Sequence, residues 1–382
     1  CPAGTSRSCC TRTFRSCATL STETTSKSAG STRRCSSATS RCSECSIVSP
    51  ATKSRAGSPC RSRRRWWPCS ETPFCASDSN VISASSIASW TRSSFAPSAS
   101  PRRTTAKTSA ATTVYDPTCG SGSLLLKVAD QATTPVTLYG QEKDAATSGL
   151  ARMNMILHNN PTAMIVQGNT LADPKFKDGD ALMTFDYVVA NPPFSDKRWS
   201  TGVDAQNDPH ERFASFGVPP AKQGDYAYLL HIVRSLKSTG KGACILPHGV
   251  LFRGNAEAEI RKNLIQKKYI KGIIGLPANL FYGTGIPACI ILIDKAGASS
   301  REGIFMIDAS QGFMKDGPKN RLRSQDIHKI VDVFTKFEEV EKYSRMVPFS
   351  EIEKNEYNLN LPRYIDSQKA EDLQDIEGHL KG

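Results

Sequence analysis

Acidic and large aliphatic residues are scarce in the first 113 residues of this 382-residue chain. That segment has 4 Asp and Glu against 17 Lys and Arg, so it carries the whole net charge of +13. Residues 114–382 hold 32 acidic and 32 basic side chains. A segment with so few apolar side chains buries too little surface to offset its conformational entropy, so we predict that residues 1–112 are disordered. The large aliphatic residues there are Leu20, Ile47, Val48, Val81, Ile82 and Ile87.

Long apolar runs and metal-binding cysteine patterns are also missing. No run approaches the ~20 residues that a membrane-spanning helix needs, so we predict no membrane partner. Ten of the 13 cysteines lie in the first 75 residues, and the other three are scattered, which suits a reducing, cytoplasmic location. Cys42 and Cys45 form a CxxC pair. No second pair or histidine follows at zinc-finger spacing, so we predict no metal site.

Three interpretations of residues 1–112 stay open. The mixture of Ser, Arg, Cys, Thr and Pro, and the abrupt change of pattern at Val114, are typical of a gene translated out of frame. We favour that non-native origin. A basic arm that binds nucleic acid is the second interpretation, since a run of arginines precedes Trp66 and Trp67. The third is a cysteine-rich domain, which would require a secreted protein.

Strand and helix patterns alternate from Val114 onward. We predict strands over residues 113–116, 136–140, 163–167, 186–190, 242–246, 270–275 and 288–294, the last of them antiparallel. Helices are predicted over residues 124–132, 145–158, 226–238 and 256–266, and the apolar spacing between Ile327 and Phe337 predicts a further amphipathic helix. This order indicates an α/β domain over residues 113–382, with a mostly parallel sheet covered by helices on both faces.

The first motif is Asp-Pro-Thr-Cys-Gly-Ser-Gly, which starts at Asp116, where the first predicted strand ends. Gly120 and Gly122 allow a tight turn and close approach of a ligand to the backbone. The free N–H groups of the helix that begins near Ser123 favour an anionic or carboxylate group. A GxG turn alone is common, but this longer string at the first strand of an α/β alternation is much more specific.

Two further motifs follow other strands of the predicted sheet. Glu142 ends the second strand, where a carboxylate can accept both hydroxyls of a ribose. Asn191, Pro192, Pro193 and Phe194 follow the fourth strand. The asparagine offers a carbonyl oxygen, the prolines stiffen the turn, and the phenylalanine offers a ring face for a base. Two acceptors that converge on an exocyclic amine would direct its lone pair toward a methyl donor.

The order of these motifs resembles the γ-type methyltransferases that modify adenine N6 in DNA. The resemblance is greatest to the modification subunit, HsdM, of type I restriction–modification systems. It extends over about residues 113–382, and it includes the segments 168–171, 224–231, 246–254, 276–286 and 357–364. It implies a Rossmann-like methyltransferase fold that uses S-adenosylmethionine.

The resemblance also implies a role for each motif. Glu142 would bind the ribose of the cofactor and Asn169 its adenine. Asn191 and Pro192 would accept hydrogen bonds from the target amine, beside Pro193, and Phe194 would stack on the target base. The loop around the methionine part of the cofactor would consist of Asp116, Thr118, Gly120, Ser121, Gly122 and Ser123. We expect His158, His231 and His248 to be structural.

The implied partners are double-stranded DNA, a specificity subunit and, in some complexes, a restriction subunit. Residues 195–224 form the longest insertion and are expected to line the target groove. Residues 327–337 and the tail after Arg363 are candidate docking surfaces, although packing on the sheet is the preferred interpretation of the former.

Two alternatives stay open. One is methylation of another amide or amine, in a protein glutamine or in RNA. The other is an inactive assembly fragment, because residues 1–113 lack the helical domain and the aromatic–Thr–Pro segment that the family places before the first strand.

Overall fold

The structure, a computed structural model, describes residues 111–367. The predictions made for residues 1–110 and for the tail beyond residue 367 lie outside this range. Of the segment predicted to be disordered, only Ala111 and Thr112 are described, and Thr112 is the first residue of a strand. No helix in the described range is long and apolar enough to cross a membrane.

Strands and helices alternate through the first half of the described chain and become less regular afterwards. The strands are β1 (Thr112–Asp116), β2 (Val136–Glu142), β3 (Met164–Gln167), β4 (Lys177–Asp178), β5 (Ala181–Leu182), β6 (Phe185–Ala190), β7 (Leu236–Pro247), β8 (Ile270–Gly275), β9 (Ala288–Asp294), β10 (Gly303–Asp308), β11 (Met314–Asp316), β12 (Lys319–Arg321) and β13 (Ser344–Pro348). The helices are α1 (Ser123–Gln131), α2 (Ala145–Leu157), α3 (Asp225–Arg234), α4 (Ala256–Gln266), α5 (Ser324–Lys336) and α6 (Phe349–Lys354).

Nine of these strands form one sheet, in the order β13-β10-β8-β9-β7-β6-β1-β2-β3. Seven of them run parallel to one another, and β9 and β13 run antiparallel to their neighbours. The predicted α/β fold with a mostly parallel sheet is confirmed, and so is the reversed direction of β9. The strand at β9 is not the last, however, because β10 and β13 extend the sheet beyond it.

Helices cover both faces of the sheet. Side chains of α3 and α4, such as Leu229 and Leu264, are buried in the cluster on one face. Side chains of α1, α2 and α5, such as Leu125, Met155 and Phe334, are buried on the other. The amphipathic segment at α5 therefore packs on the sheet, as its preferred interpretation had it.

The third predicted helix, over residues 226–238, is shorter in the structure than predicted. It ends at Arg234, and strand β7 begins at Leu236, which pairs with Phe185 of β6. Lys237 forms an ion pair with Asp186 at 2.8 Å, which fixes the start of β7 against β6. The helical spacing continued into the strand because Ile232, Val233 and Leu236 are all apolar and buried.

The parallel strands all end at the same edge of the sheet. Residues at those ends, or within two positions after them, are Asp116 of β1, Glu142 of β2, Asn169 after β3, Asn191 after β6 and Leu276 after β8. Ligands of open α/β sheets bind in the crevice outside these carboxyl ends. The predicted motifs are thereby brought to one side of the molecule.

Candidate functional site

The loop after β1 is held by backbone hydrogen bonds to two carboxylates. The Thr118 N–H donates to Oδ1 of Asp116 at 2.9 Å, and the Gly120 N–H donates to Oε2 of Glu142 at 3.0 Å. The Cys119 N–H donates to the Gln141 carbonyl at 3.0 Å. Strand β2 therefore fixes the loop that follows β1, and Glu142 has a structural contact in addition to its predicted ligand contact.

Gly122 is the cap residue of α1 and has a left-handed backbone, with φ of 80°. The cap is made by this backbone turn rather than by a side chain, so the first N–H groups of α1 stay available to a ligand. Ser121 and Ser123 place their hydroxyl oxygens 2.8 Å apart at the same turn. The side-chain amide of Asn154, in α2, donates to the Ser121 carbonyl at 3.0 Å and ties the turn to that helix.

Glu142 keeps acceptor capacity for a diol. Its Oε1 accepts from the Asp144 N–H at 2.9 Å, and its Oε2 accepts from the Gly120 N–H. A carboxylate has about four acceptor positions, so one position remains on each oxygen. The side chain is only half-buried, so a ligand can reach it.

Asp116 is almost completely buried, with 1% of its surface exposed. The pKa of its carboxyl is raised to about 7, chiefly by loss of hydration and also by the nearby charge of Glu142. The hydrogen bond from the Thr118 N–H opposes this rise because it stabilises the ionised form. A cationic group bound in this loop would favour the ionised carboxylate.

The predicted adenine contact, Asn169, lies after β3 beside the same loop. Its Oδ1 accepts from the Leu171 N–H at 3.2 Å. The neighbouring Thr170 hydroxyl donates to the Pro117 carbonyl at 2.5 Å, which connects the two loops directly. The structure thus brings Asn169 close to the motif after β1, and its contact with a ligand stays a prediction.

The Asn191, Pro192, Pro193 and Phe194 turn lines one side of a cleft of about 400 Å³. The rest of the lining consists of Phe281, Tyr282, Gly283 and Thr284, from the loop after β8. The rings of Phe194 and Phe281 meet edge to face, with centroids 5.5 Å apart and planes at 72°. A cleft of this size falls within the range of small-molecule pockets.

The sequence analysis gave residues 281–284 no place in the site. The sequence did contain a feature that could have indicated these residues, because this Gly-containing loop follows a strand that is parallel to β1 and β6. The sequence did not say that β8 would lie on this side of the sheet. Residues 195–224, expected to line the target groove, are mostly exposed or half-buried, with Trp199 and Phe213 among the buried exceptions. None of them lines this cleft, and their contact with DNA stays a prediction. The loop after β8 and the turn that starts at Asn191 line this cleft together.

Buried polar and ionic contacts hold the turn formed by residues 191–194 in place. Ser195, which follows Phe194, has a positive φ of 52°, and its N–H donates to Oδ1 of Asp225 at 2.7 Å. Asp225 is fully buried at the start of α3 and accepts from Arg253 at 2.8 Å. The turn is therefore held at both ends, by β6 before it and by α3 after it.

The three histidines expected to be structural, His158, His231 and His248, lie away from the cleft lining. Burial lowers the pKa of His231 to about 3, and its Nε2 lies 3.3 Å from the Tyr115 hydroxyl on one face of the sheet. Burial also lowers the pKa of His248. His158 is exposed at the end of α2. None of the three lines the cleft, which agrees with their expected structural role.

These groups fit the S-adenosylmethionine that the resemblance implies. The N–H groups at the start of α1 suit its carboxylate, and the buried Asp116 suits a cationic group. Glu142 retains two acceptor positions for ribose hydroxyls. The cleft lined by Asn191 and Phe194 follows β6, which pairs directly with β1. The donor set thus suits this cofactor, and the role of each residue stays a prediction.

Comparison with known proteins gives consistent results. The family model described as N-6 DNA methylase matches residues 102–373. A type I restriction enzyme methylase subunit of Methanocaldococcus jannaschii, MjaVII, is 36% identical over 279 residues, which cover 69% of this chain and 47% of that protein. The MpnII methylase subunit of Mycoplasma pneumoniae is 34% identical over 275 residues, with 69% and 50% covered.

A solved structure agrees with the sequence comparisons. The type I restriction–modification methyltransferase subunit from Streptococcus thermophilus has a TM-score of 0.65 at 36% identity, covering 77% of this chain and 59% of that one. The present chain spans about half the length of the curated relatives that it matches. The family match covers most of the chain, including every motif of the site, and the chain therefore belongs to the N-6 DNA methylase family.

Proposed function

We propose that this chain transfers a methyl group from S-adenosylmethionine to N6 of adenine in DNA, as the modification subunit of a type I restriction–modification complex. The observation that carries the proposal is the placement of two motifs on adjacent strands. The loop that starts at Asp116 follows β1, the turn that starts at Asn191 follows β6, and these strands pair through Tyr115 and Val188. A cofactor loop and a base cleft thus share one edge.

In this proposal the first loop binds the cofactor. The N–H groups at the start of α1, together with Thr118, Ser121 and Ser123, surround the methionine part. Glu142 accepts hydrogen bonds from the ribose hydroxyls, and Asn169 contacts the adenine. When bound, the cofactor supplies a methyl group that its positively charged sulfur already activates.

The second motif positions the acceptor. The target adenine must leave the DNA stack, which requires a few kcal/mol. Phe194 then stacks on the base, while the side-chain oxygen of Asn191 and the carbonyl of Pro192 accept from the N6 amine. The amine nitrogen would form the new bond to the methyl carbon as the bond between that carbon and the sulfur breaks; S-adenosylhomocysteine would leave, and the amine would release one proton to water. Placement supplies most of the rate, so the site needs no nucleophile of its own.

The same proposal includes the partners and the location. The relatives are named methylase subunits of type I restriction enzymes, which supports assembly with a specificity subunit and, in some complexes, a restriction subunit. The three cysteines of the described range are buried free thiols, which supports a reducing, cytoplasmic environment. Residues 113–382 would form the methyltransferase domain.

The test separates catalysis from cofactor binding. Asn191→Ala and Phe194→Ala should abolish methyl transfer to duplex DNA in the complex with the specificity subunit, while calorimetry shows cofactor binding largely intact. Leu157→Ala, on the exposed end of α2, is the control and should retain both. Loss of cofactor binding with a normal rate per bound cofactor would contradict these roles. Methylation of a protein glutamine or of RNA, but not of DNA, would overturn the proposed substrate.

A further inference from the structure

Two segments that carry the family resemblance, residues 224–231 and 246–254, contribute no residue to the lining of the cleft. The first begins helix α3, and the second includes the end of β7 and the chain that follows it. Their charged residues Asp225 and Arg253 contact each other, and Asp225 contacts Ser195, the residue that follows the turn of residues 191–194. The two segments are therefore placed to position that turn.

Ser195 has a left-handed backbone, with φ of 52°. This conformation is uncommon for a residue with a Cβ, and it persists where the surrounding contacts hold it. The Ser195 N–H donates to Oδ1 of Asp225 at 2.7 Å, and the Ser195 hydroxyl donates to Oδ2 at 3.4 Å. Asp225 thus binds both hydrogen-bond donors of the residue whose backbone is strained.

The start of α3 also contacts the next part of the chain that leaves the turn. The N–H of Gly224 donates to the Asp196 carbonyl at 3.1 Å, and a Cβ at Gly224 would lie 2.8 Å from the Cβ of Trp199. The Tyr228 hydroxyl, one helical turn further along α3, donates to Oδ2 of Asp196 at 3.3 Å. Helix α3 therefore leaves the residues after the turn little room for displacement.

Asp225 is fully buried, so its carboxylate requires a partner of opposite charge. That partner is Arg253, whose Nη1 donates to Oδ2 of Asp225 at 2.8 Å and to Oε1 of Glu257 at 3.3 Å. The guanidinium of Arg253 lies against Gly249, where a Cβ would be 2.7 Å from its Nε and 2.8 Å from its Nη2. A glycine at residue 249 therefore leaves the space in which Arg253 reaches Asp225.

We infer that Asp225 is a positioning residue for the turn of residues 191–194, and that Gly249 and Arg253 fix the position of Asp225. The inference rests on the proposed function and deepens it, because it states how the acceptors of the target amine are held. Asn191 and Pro192 can direct the amine toward the methyl group only if the turn keeps one geometry. A misplacement of about 1 Å can lower a catalysed rate about 10²-fold.

Asp186 offers a matched comparison, because a carboxylate at the start of a helix can also serve the stability of the fold alone. Like Asp225, Asp186 accepts from the N–H and the hydroxyl of one residue, Thr113, at 3.0 and 2.8 Å, and it pairs with one basic side chain, Lys237, at 2.8 Å. It lies at the start of β6, whereas the turn follows the end of that strand. Both carboxylates should contribute to stability, and only Asp225 should affect the turn.

The experiment uses the full chain in complex with the specificity subunit and has three readouts. Hydrogen exchange, measured by mass spectrometry, reports how firmly residues 191–196 are held. Steady-state kinetics give kcat and KM for methyl transfer to plasmid DNA. Calorimetry gives the affinity and the bound amount of S-adenosylmethionine, so that each rate is expressed per bound cofactor. The variants are Asp225→Ala, Asp225→Asn and Gly249→Ala, with Asp186→Ala and Gly254→Ala as controls, since a Cβ at Gly254 meets nothing within 4 Å.

Asp225→Ala should raise hydrogen exchange in residues 191–196 and lower kcat about 10²-fold, because the turn loses its geometry. The cofactor affinity and the KM for DNA should be unchanged. Asp225→Asn should recover part of the rate, since its side-chain oxygen can still accept from the Ser195 N–H. Gly249→Ala displaces the guanidinium of Arg253 and should lower kcat about tenfold, within the range for a weakened hydrogen bond between charged groups. Both controls should retain the wild-type kcat per bound cofactor.

The outcomes distinguish this inference from the proposed function. A wild-type complex that transfers no methyl to DNA overturns the proposed function, while faster exchange of residues 191–196 in Asp225→Ala still supports the hold of Asp225 on the turn. Unchanged exchange there, or a kcat equal to that of Asp186→Ala, overturns the inference alone. Less bound cofactor with a normal rate per bound cofactor would assign Asp225 to stability and also overturn it. If Asp225→Ala does not fold, Asp225→Asn and Gly249→Ala decide by the same criteria.

Discussion

At the scale of single residues, the loop after β1 turns at Gly122, which has a φ of 80°. A Cβ there would overlap the terminal methyl of Met155, which is flexible enough to move. The left-handed backbone is the larger problem, since it is unfavourable by about 1–2 kcal/mol for a residue with a Cβ. Gly122→Ala should therefore lower the free energy of unfolding by about that amount and weaken cofactor binding, as urea unfolding and calorimetry would show.

The matched control is Gly149, in the middle of α2. A Cβ added at Gly149 would meet open space, and its backbone is helical. Gly149→Ala should raise stability by about 0.5–1 kcal/mol, because alanine loses less backbone entropy in a helix. Equal effects of the two substitutions would contradict the importance of the left-handed turn.

Asp116 should make the stability of the unliganded protein depend on pH. Its pKa is about 7 in the folded chain against an ordinary value of 3.8, so between these pH values the folded state binds the proton more tightly than the unfolded state. Stability contributed by the protonated carboxyl is therefore lost as the pH rises from about 4 to about 7. Asp116→Asn should reduce this loss, and urea unfolding on either side of the folded pKa would measure it.

The comparison with wild type is needed because other groups titrate in the same range. His231, with a folded pKa of about 3, has the opposite effect, since stability is lost as the pH falls below its usual value of 6.5. The difference between the two proteins isolates the carboxyl. An unchanged difference across the range would show that Asp116 is ionised throughout.

At the scale of elements, the edge of the sheet depends on Gly303 in β10. A Cβ there would overlap the carbonyl oxygen of Val347 in β13, and a backbone atom cannot rotate away. Gly303→Ala should therefore separate β13 from β10 and lower the free energy of unfolding by about 1–3 kcal/mol. Chemical denaturation would measure the change. Gly254→Ala, where a Cβ meets nothing within 4 Å, is the control.

All seven strands predicted from the sequence exist. Most of them are buried apolar runs bounded by polar or Gly residues, whereas β3, at the edge of the sheet, has only Ile165 buried. Strand β10 was missed although residues 304–307 are apolar and buried. Strand β13 was missed because it is an edge strand with only Ser344 and Val347 buried, so its pattern is weak. The end of α3 was misplaced because the apolar spacing of a buried helix continues into a buried strand without a break.

The parts of the site that lie within single sequence motifs were predictable. Each motif follows a strand, and parallel strands end at one edge, so the meeting of Asp116, Glu142 and Asn191 followed from the sequence. The contact of Glu142 with the Gly120 N–H did not follow from the sequence, and neither did the position of the loop after β8 beside the cleft. Both depend on which strands are neighbours, and β8 precedes β9 in the chain but lies beyond it in the sheet.

At the scale of the whole molecule, the even charge balance of residues 114–382 bears on DNA binding. Sequence-specific DNA binding depends strongly on neutralised phosphates and on contacts to base edges. We expect efficient, site-specific methylation of a random-sequence plasmid library only when the specificity subunit is added. Sequencing of the modified adenines would measure it, and site-specific methylation by the chain alone would contradict the expectation.

The position of β9 between β7 and β8 has a consequence during synthesis on the ribosome. Strand β7 ends at Pro247, and the strand that covers its free edge starts at Ala288. Translation at ~5–20 residues per second leaves that edge open for about 2–8 s. Strand β8 is already made by then but cannot close the gap, because it pairs with β9. An open, apolar sheet edge is a template for wrong pairing, so this edge of the nascent chain can pair wrongly with other chains during the interval.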